Sequence, residues 1–331
     1  MSEIPNGIYR DLSIADYVAD PAISGSALSV LLREPEAYPD FLAQKQRPDQ
    51  TQTKFQVFGS AAHCAILEGI EAFKARYVAQ PDKDDYPEAL ATVDDLKEWL
   101  RERKGKLTGT KSELSARARE IAALCNEPVI LWSELEAQLV GGRETLSPND
   151  YEAAIRLAKF VRSSPSCADL FDEGVPELSV FWTEDGERFK ARFDWIGPAG
   201  VVELKTYSRP AHGSLRQHLA REIGQNDYHL QAAHAMRAFE VVRESGEFRD
   251  IASSFHWVFV RSGGPLNLTV LPLSFGSMLA MVGGQQKNDA LQNLHRYRAA
   301  FPNGADWATD NGIVDLEDHD FPSWVWGATY V

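Results

Sequence analysis

The stretch ELSVFWTEDGERFKARFDWIGPAGVVELK, Glu177–Lys205, has the pattern of three consecutive β-strands joined by two tight turns. The segments EDGE and GPAG contain the glycine and proline residues that tight turns favour. Between them, β-branched and aromatic residues alternate with polar ones, as in strands that bury one face. We therefore predict strands over residues 177–183, 188–196 and 201–206.

The alternation also predicts which side chains meet. One face of the middle strand carries a row of apolar side chains: Phe189, Ala191, Phe193 and Trp195. Asp194 lies on the opposite face. In the third strand Val202 and Leu204 point inward, which leaves Glu203 and Lys205 together on the other side. If the polar faces align, Asp194, Glu203 and Lys205 converge.

Two carboxylates beside an ammonium group suit hydrolysis of a phosphodiester. The carboxylates hold a divalent cation that polarises the phosphate, and the ammonium orients or deprotonates the attacking water. The spacing Asp-x(8)-Glu-x-Lys also arises by chance, and alternating charges on a strand often form a solvated face. On this stretch alone, a metal site and a charged surface both stay open.

The bulk composition restricts the class of protein. The chain has 331 residues, 44% of them apolar and 25% charged, which is typical of a soluble globular protein with one large domain or two. We find no apolar run that could span a bilayer and no signal-peptide layout, so we expect a cytoplasmic protein without a membrane partner. Three scattered cysteines without a CxxC pair argue against a disulfide scaffold, structural zinc or an iron–sulfur cluster. The net charge of −14 argues against non-specific coating of DNA by bulk charge, but not against a local basic channel.

Helices are predicted before and after the strand cluster. Ser24 is the predicted N-cap of a helix over residues 23–32, and His63 lies within a second helix over residues 57–67. A lone histidine among small residues is ordinarily a core residue bonded to a backbone carbonyl. The remaining elements are predicted helices over residues 150–161, 227–242 and 277–300, and predicted strands over residues 253–261 and 266–273. This uneven alternation predicts an α/β (α+β) fold with a central mixed sheet flanked by helices.

Several short motifs occur in a characteristic order. They are FGSAAHCAILE (58–68), PELSVFW (176–182), RFDWI (192–196), VVELKT (201–206) and YHLQAA (228–233). Together they resemble the RecE-type exonucleases, the exodeoxyribonuclease VIII family of prophages, within the PD-(D/E)xK nuclease superfamily. ISGSALSVLLREPEAY (23–38) and FPSWVWG (321–327) also resemble segments of that family.

The resemblance implies a metal site and its neighbours. Asp194 and Glu203 would bind the metal, the Leu204 carbonyl would be a further ligand, and Lys205 would be the catalytic lysine. The implied cofactor is Mg²⁺, with Mn²⁺ as an alternative, and two ions. Many relatives have Asp where this chain has Glu203.

The resemblance also implies functional roles for three more residues. Glu177 would bind metal or orient water, His63 would lie near the second metal or the nucleophile, and Gln231 would contact substrate or a metal-bound water. Related nucleases often carry a tyrosine four residues after the glutamine, where this chain has Ala235. Whether Tyr228, one turn upstream, substitutes for it is left open.

The implied activity is a 5′→3′ exonuclease that acts on double-stranded DNA ends. It would leave a 3′ single strand for a strand-annealing partner in recombination, and it would work as a homo-oligomeric ring. Two alternatives are an endonuclease or a single-strand or flap nuclease of the same fold, and a catalytically silent DNA-binding scaffold.

Residues 84–147 are highly charged and lysine-rich at their centre. We predict that they form a helical insert between nuclease segments 1–83 and 148–331. Within it, two capping boxes start helices at Thr92 and Thr110. The pattern V-x-x-L-x-x-x-L followed by L-x-G-T-K-x-x-L, over about residues 90–123, resembles the SAP module, which binds duplex DNA. From Lys97 to Arg119 there are eight basic and three acidic residues, so the local charge is 8 − 3 = +5. The candidate DNA contacts are Lys104, Lys106, Thr110, Lys111 and Arg117. The alternative is a charged helical hairpin that packs on the nuclease or on another subunit.

Overall fold

The computed structural model describes residues 3–45, 53–208, 213–246, 248, 251–302 and 307–309. The motif FPSWVWG (321–327), with Trp324 and Trp326, lies outside these described residues.

Within the described residues the chain forms helices and strands in mixed order. The α-helices are α1 (Ile14–Ala19), α2 (Gly25–Arg33), α3 (Tyr38–Lys45), α4 (Lys54–His63), α5 (Ile70–Arg76), α6 (Val93–Glu102), α7 (Lys111–Cys125), α8 (Trp132–Val140), α9 (Pro148–Ser163), α10 (Leu215–Gln225), α11 (Tyr228–Glu244) and α12 (Met278–Ala300). The β-strands are β1 (Gly7–Tyr9), β2 (Tyr77–Ala79), β3 (Glu144–Leu146), β4 (Val175–Glu184), β5 (Glu187–Gly197), β6 (Gly200–Tyr207), β7 (Phe255–Arg261) and β8 (Leu268–Leu273). Two short 3₁₀ turns (Pro35–Ala37 and Lys83–Asp85) and a π-helix (Cys64–Glu68) complete the set.

The central sheet has six strands in the order β1-β4-β5-β6-β7-β8. Every neighbouring pair is antiparallel except β6 and β7, which run parallel. A parallel pair needs a crossover, and here the chain passes through α10 and α11 between the two strands. The predicted mixed sheet flanked by helices is therefore confirmed, and the three strands predicted over residues 177–206 are neighbours in it.

Each face of the sheet has its own hydrophobic core. The first core contains apolar side chains of α2, α11 and α12 and one face of β4 to β7. The second contains side chains of α4, the π-helix, α5 and α9 and the other face of β6 and β7. Since both faces are covered, the strands between them are buried on both sides.

Alternate side chains of β5 point to the same face of the sheet up to Phe193, and this pattern changes at Asp194. Phe189, Ala191 and Phe193 belong to the first core, but Trp195 belongs to the second. The prediction that these four residues share a face is wrong for Trp195. The reason lies on the neighbouring strand: Glu177, opposite Asp194, has a left-handed backbone with φ of 56°.

The ladder between β4 and β5 is interrupted at this position. Pro176 pairs with Trp195 and Leu178 with Phe193, whereas the residues between them are not paired. A left-handed residue cannot continue the extended geometry of a strand. Consequently both strands change the direction of their side chains at the position where two predicted functional carboxylates occur.

Sequence patterns located the longest helices and the strands β4 to β8, but not every other element. The predicted helix over residues 57–67 is α4 followed by the π-helix. The helix α10, the strand β1 and the pair formed by β2 and β3 were not predicted.

The segment predicted as an insert begins and ends near two paired strands. β2 and β3 pair in parallel, with Tyr77 opposite Glu144, and α6, α7 and α8 lie between them. Both predicted capping boxes are present at the starts of α6 and α7. The two helices share a small core made of Leu96, Leu100, Leu114 and Ala118, which Leu131, the residue before α8, completes.

Close packing of α11 against α12 depends on one glycine. A Cβ atom added at Gly283 would lie 2.3 Å from the carbonyl oxygen of His229. We expect Gly283→Ala to lower the free energy of unfolding by about 2–3 kcal/mol through overpacking. Gly284→Ala is the matched control, because nothing lies within 4 Å of its added Cβ. There we expect a gain of about 0.5–1 kcal/mol from helix propensity. Urea denaturation of both variants measures the difference, and equal effects would contradict this packing.

In the part of the chain that the structure describes, none of the helices is both long enough and apolar enough to cross a lipid bilayer.

Candidate metal centre

The centre lies where β5 and β6 separate. These strands pair only at Trp195–Val202, Ile196–Val201 and Gly197–Gly200. Beyond that point the backbone N–H of Leu204 donates to the Asp194 carboxylate at 2.7 Å, instead of to the neighbouring strand. A carboxylate therefore replaces a backbone acceptor at the point where β5 and β6 separate, which we call the fork.

Glu203 and Lys205 project from β6 at this opening. Leu204, between these two residues, and Val202, before Glu203, are fully buried in the second core, as the alternation predicts. The Lys205 ammonium donates to Oε1 of Glu203 at 2.7 Å. It also lies 4.6 Å from the ring centre of Tyr228, a cation–π contact that restrains its position.

His63 reaches the site from the last residue of α4. The π-helix starts directly after it, and such wide turns are frequent at functional sites. The guanidinium of Arg162 donates to the carbonyls of Ile66 and Leu67, which fixes the end of this turn. The imidazole Nδ1 lies 3.8 Å from Oδ2 of Asp194.

Glu177 completes the group from β4. Its left-handed backbone costs on the order of 1–3 kcal/mol in a non-glycine residue, and such strain is concentrated at functional sites. Oε2 of Glu177 accepts from Nε of Arg192 at 2.5 Å. Ligand atoms of His63, Glu177 and Asp194 all lie within 4.8 Å of one another, so these three could hold a metal ion.

Crowded carboxylates dominate the electrostatics. Burial raises the pKa of Asp194 well above its ordinary value, and the charges of Glu203 and Glu177 add to this against the opposing effect of Lys205. Burial also raises the pKa of Glu177, in spite of its bond to Arg192. Buried carboxylates that repel one another are stabilised by a cation, so the charge distribution suits a divalent ion.

The two basic groups of the site behave differently. Burial opposes the charged form of Lys205, but the carboxylates of Glu203 and Asp194 outweigh it, so the pKa of Lys205 lies above its ordinary value. Burial, together with the Lys205 charge, lowers the pKa of His63 to about 4, against a hydrogen bond to the backbone of Leu204. At neutral pH the lysine is therefore an ammonium, and the histidine is neutral with a lone pair for a metal rather than an ion-pair partner of Asp194.

The donor set fits a small octahedral cation. Ligand atoms of His63, Glu177 and Asp194 lie within 4.8 Å of one another, so these three side chains would hold the ion after moving closer together. The carboxylates suit Mg²⁺ and Mn²⁺, and imidazole is a common ligand of transition metals. The predicted ligand Glu203 is instead bonded to Lys205, and His63 engages the backbone of Leu204, the other predicted ligand.

A cavity of about 240 Å³ adjoins the centre. Its lining includes Glu203, Lys205, Tyr228, Gln231 and Ala235. The predicted glutamine therefore lines the same cavity as Ala235, where related nucleases often carry a tyrosine, and Tyr228, the residue that could substitute for it. The amide of Gln231 donates to the carbonyl of Asn226 at 3.2 Å, which holds it at the start of α11. The cluster of His63, Glu177 and Asp194 is not part of this lining.

Tyr17, Lys190 and Arg192 also line the cavity, and none of them was predicted as a site residue. Arg192 could have been found from its position two residues before Asp194 on the same strand. Tyr17 gave no signal, because it belongs to the short helix α1, which has no strong apolar pattern.

The predicted DNA contacts of the insert lie apart from the cavity lining. Lys104, Lys106, Thr110 and Lys111 are exposed around the α6–α7 connection. Thr110 accepts from the backbone of Glu113, whose carboxylate in turn caps the start of α7.

Arg117, the fifth predicted contact, is held by the connection itself. Its guanidinium donates to the carbonyls of Lys106 and Thr108, at 2.5 and 3.2 Å. These hydrogen bonds fix the conformation of the connection between α6 and α7.

Comparisons with known proteins add little. No protein-family model matches the chain. The comparison with curated proteins gives no match. Two solved chains match, one of them the crystal structure of a "putative exonuclease" from Eubacterium rectale at 2.19 Å resolution. The sequences are 12% identical, the alignment covers 89% of this chain and 83% of that chain, and the TM-score is 0.43. At this level the likeness carries no argument about fold or activity.

Proposed function

We propose that this chain is a metal-dependent deoxyribonuclease. The observation that carries the proposal is the joint placement of His63, Glu177 and Asp194, with ligand atoms within 4.8 Å of one another, beside the Glu203–Lys205 pair. Carboxylates, a neutral imidazole and an ammonium at one opening supply the groups that phosphodiester hydrolysis needs. A solvated charged surface would not bury and crowd its carboxylates in this way.

The residues divide the chemistry among them. A bound divalent cation, Mg²⁺ or Mn²⁺, would polarise the phosphate and lower the pKa of a coordinated water. His63, Glu177 and Asp194 would hold one ion, and Glu203 could join a second. Lys205, being protonated, would orient the water and stabilise negative charge on the phosphate rather than act as a base. Gln231, from the cavity side, would position the substrate.

The specific activity that we propose is a RecE-type exonuclease of the PD-(D/E)xK superfamily. It would degrade double-stranded DNA ends in the 5′→3′ direction and leave a 3′ overhang for a strand-annealing protein. Support for this part comes from the ordered sequence motifs. A homo-oligomeric ring is part of the same proposal, and analytical ultracentrifugation would test it.

The deciding experiment is digestion of end-labelled linear duplex with Mg²⁺, with Mn²⁺ and with EDTA. We expect loss of the 5′ label first, no digestion in EDTA and no cutting of closed circular duplex. Cutting of the circle would favour an endonuclease. Metal-dependent binding without any digestion would favour a silent scaffold.

We also propose that the insert, as a SAP-like module, holds the duplex through its backbone. Lys104, Lys106 and Lys111 would contact phosphates, while Arg117 keeps the connection in shape. Contacts of this kind position DNA with little reading of sequence.

This proposal predicts a salt-dependent loss of affinity. The double change Lys106→Ala and Lys111→Ala removes two phosphate contacts, so the slope of log affinity against log salt should fall by about 2. Fluorescence anisotropy over a salt series measures this slope. Lys159→Ala, an exposed lysine on α9, is the control, and cleavage of a very short substrate should be unaffected. An unchanged slope in the double variant would remove the insert from the DNA path.

A further inference from the structure

Tyr17 forms part of the wall of the cavity next to the candidate metal centre. It lies in α1 and lines the cavity together with Arg192, Glu203 and Lys205. Its distance in sequence from these residues explains why no motif included it. The fold brings this aromatic side chain to the wall of the cavity.

The ring of Tyr17 is held from several sides. It makes an edge contact with Phe181, with ring centres 6.0 Å apart. The ammonium of Lys190 lies 4.8 Å from the ring centre, and the guanidinium carbon of Arg192 lies 5.8 Å from it.

The backbone of the same segment is fixed by Lys190. The ammonium donates to the carbonyl of Tyr17 at 2.6 Å and to that of Asp20 at 2.5 Å. These bonds place a buried cation on the last carbonyls of α1, an arrangement that stabilises a helix C-terminus. The side chain is therefore positioned before any substrate binds, which reduces the entropy cost of a contact.

The hydroxyl of Tyr17 has no hydrogen-bond partner among the described residues. Burial raises its pKa above the ordinary value, against the effect of the Arg192 charge, and Glu203 adds to the rise. At neutral pH the group is therefore a protonated phenol, which can donate a hydrogen bond.

The lining of the cavity carries both signs of charge. The side chains that line the cavity include four cations, Lys45, Lys190, Arg192 and Lys205, and two anions, Asp20 and Glu203. A phosphate group is the component of DNA that accepts from a phenol, and the ammonium and guanidinium groups of the lining are further donors that it could contact.

We propose that Tyr17 is a further substrate-contacting residue, whose hydroxyl donates a hydrogen bond to a phosphate oxygen of bound DNA. This inference rests on the proposed nuclease function, because it requires DNA to enter the cavity.

The test compares two tyrosines that contact the same ring. Tyr9 also packs edge-on against Phe181, with centres 5.8 Å apart, but its hydroxyl donates to the carbonyl of Pro5 and it does not line this cavity. Binding of a short fluorescein-labelled duplex is measured by anisotropy in EDTA, so that turnover plays no part. We expect Tyr17→Phe to weaken binding about tenfold or more, as for a lost bond to a charged group, and Tyr9→Phe to leave it unchanged. Both variants should melt at the wild-type temperature, because the rings remain.

The outcomes separate the two proposals. Wild-type affinity in Tyr17→Phe, or an equal loss in both variants, would overturn the contact. Failure of the wild type to bind DNA would overturn it as well. If the wild type binds but never digests DNA with metal, the proposed nuclease activity fails, and the comparison of binding still decides the role of Tyr17.

Discussion

Asp194→Asn is expected to reduce digestion of linear duplex by at least about a thousandfold, because a metal ion at the phosphate is worth several kcal/mol to the transition state. Asparagine keeps the size of the side chain and can still accept from the N–H of Leu204, but it lacks the charge that holds a cation. Calorimetric titration with Mn²⁺ should show the same loss in metal affinity, independent of turnover.

The same substitution should stabilise the protein without metal. Burial and the charges of Glu203 and Glu177 disfavour the ionised form of Asp194, and the amide removes this repulsion. We therefore expect a higher Tm in EDTA together with the loss of activity, a combination typical of functional residues. Asp185→Asn is the matched control: it is the same change at an exposed position in the turn between β4 and β5. Wild-type digestion by Asp194→Asn would show that the site is misassigned.

Lys205→Met is expected to lower the rate of digestion by about a hundredfold to a thousandfold, the usual cost of removing one group that stabilises transition-state charge. The apolar side chain preserves length but not the ammonium beside the phosphate. Because the lysine is not proposed as a metal ligand, the affinity for Mn²⁺ should not fall. Steady-state kinetics at saturating metal would show the loss in kcat.

The effect of Lys205→Met on stability should be opposite to that of Asp194→Asn. Removal of the ammonium leaves Glu203 without its partner among other carboxylates, at a cost on the order of 2 kcal/mol for a partly exposed pair. Lys159→Met, on the surface of α9, is the control for loss of a lysine. Equal Tm values for the two site variants would contradict the charge balance described above.

The strands and long helices could be predicted from local patterns. Residues 177–206 form three strands joined by tight turns, as their turn residues and alternation require. Ser24, Thr92 and Thr110 each cap a helix at the predicted place, because a side-chain oxygen satisfies a free backbone N–H wherever the sequence provides it. Such features depend on neighbours in sequence, so the sequence shows them.

The arrangement of the centre could be predicted only in part. Glu203 and Lys205 lie together because alternate residues of one strand share a face. Glu177 and Asp194 are directed by the left-handed backbone at Glu177, which no strand pattern predicts. The ion pair between Glu203 and Lys205 and the grouping of His63, Glu177 and Asp194 also depend on how far β5 and β6 separate.

By itself, the amino-acid sequence determined the fold class, the strands that carry the carboxylates and the lysine, and the two capped helices of the insert. Only the tertiary structure decided that Trp195 joins the second core, that ligand atoms of His63, Glu177 and Asp194 come within 4.8 Å of one another, and that Tyr17 borders the cavity. The physical reason is the range of the interactions. Hydrogen bonds in turns, caps and strands act over a few residues, whereas the fork between two strands and the approach of α1 and α4 to it result from packing between segments far apart in the chain.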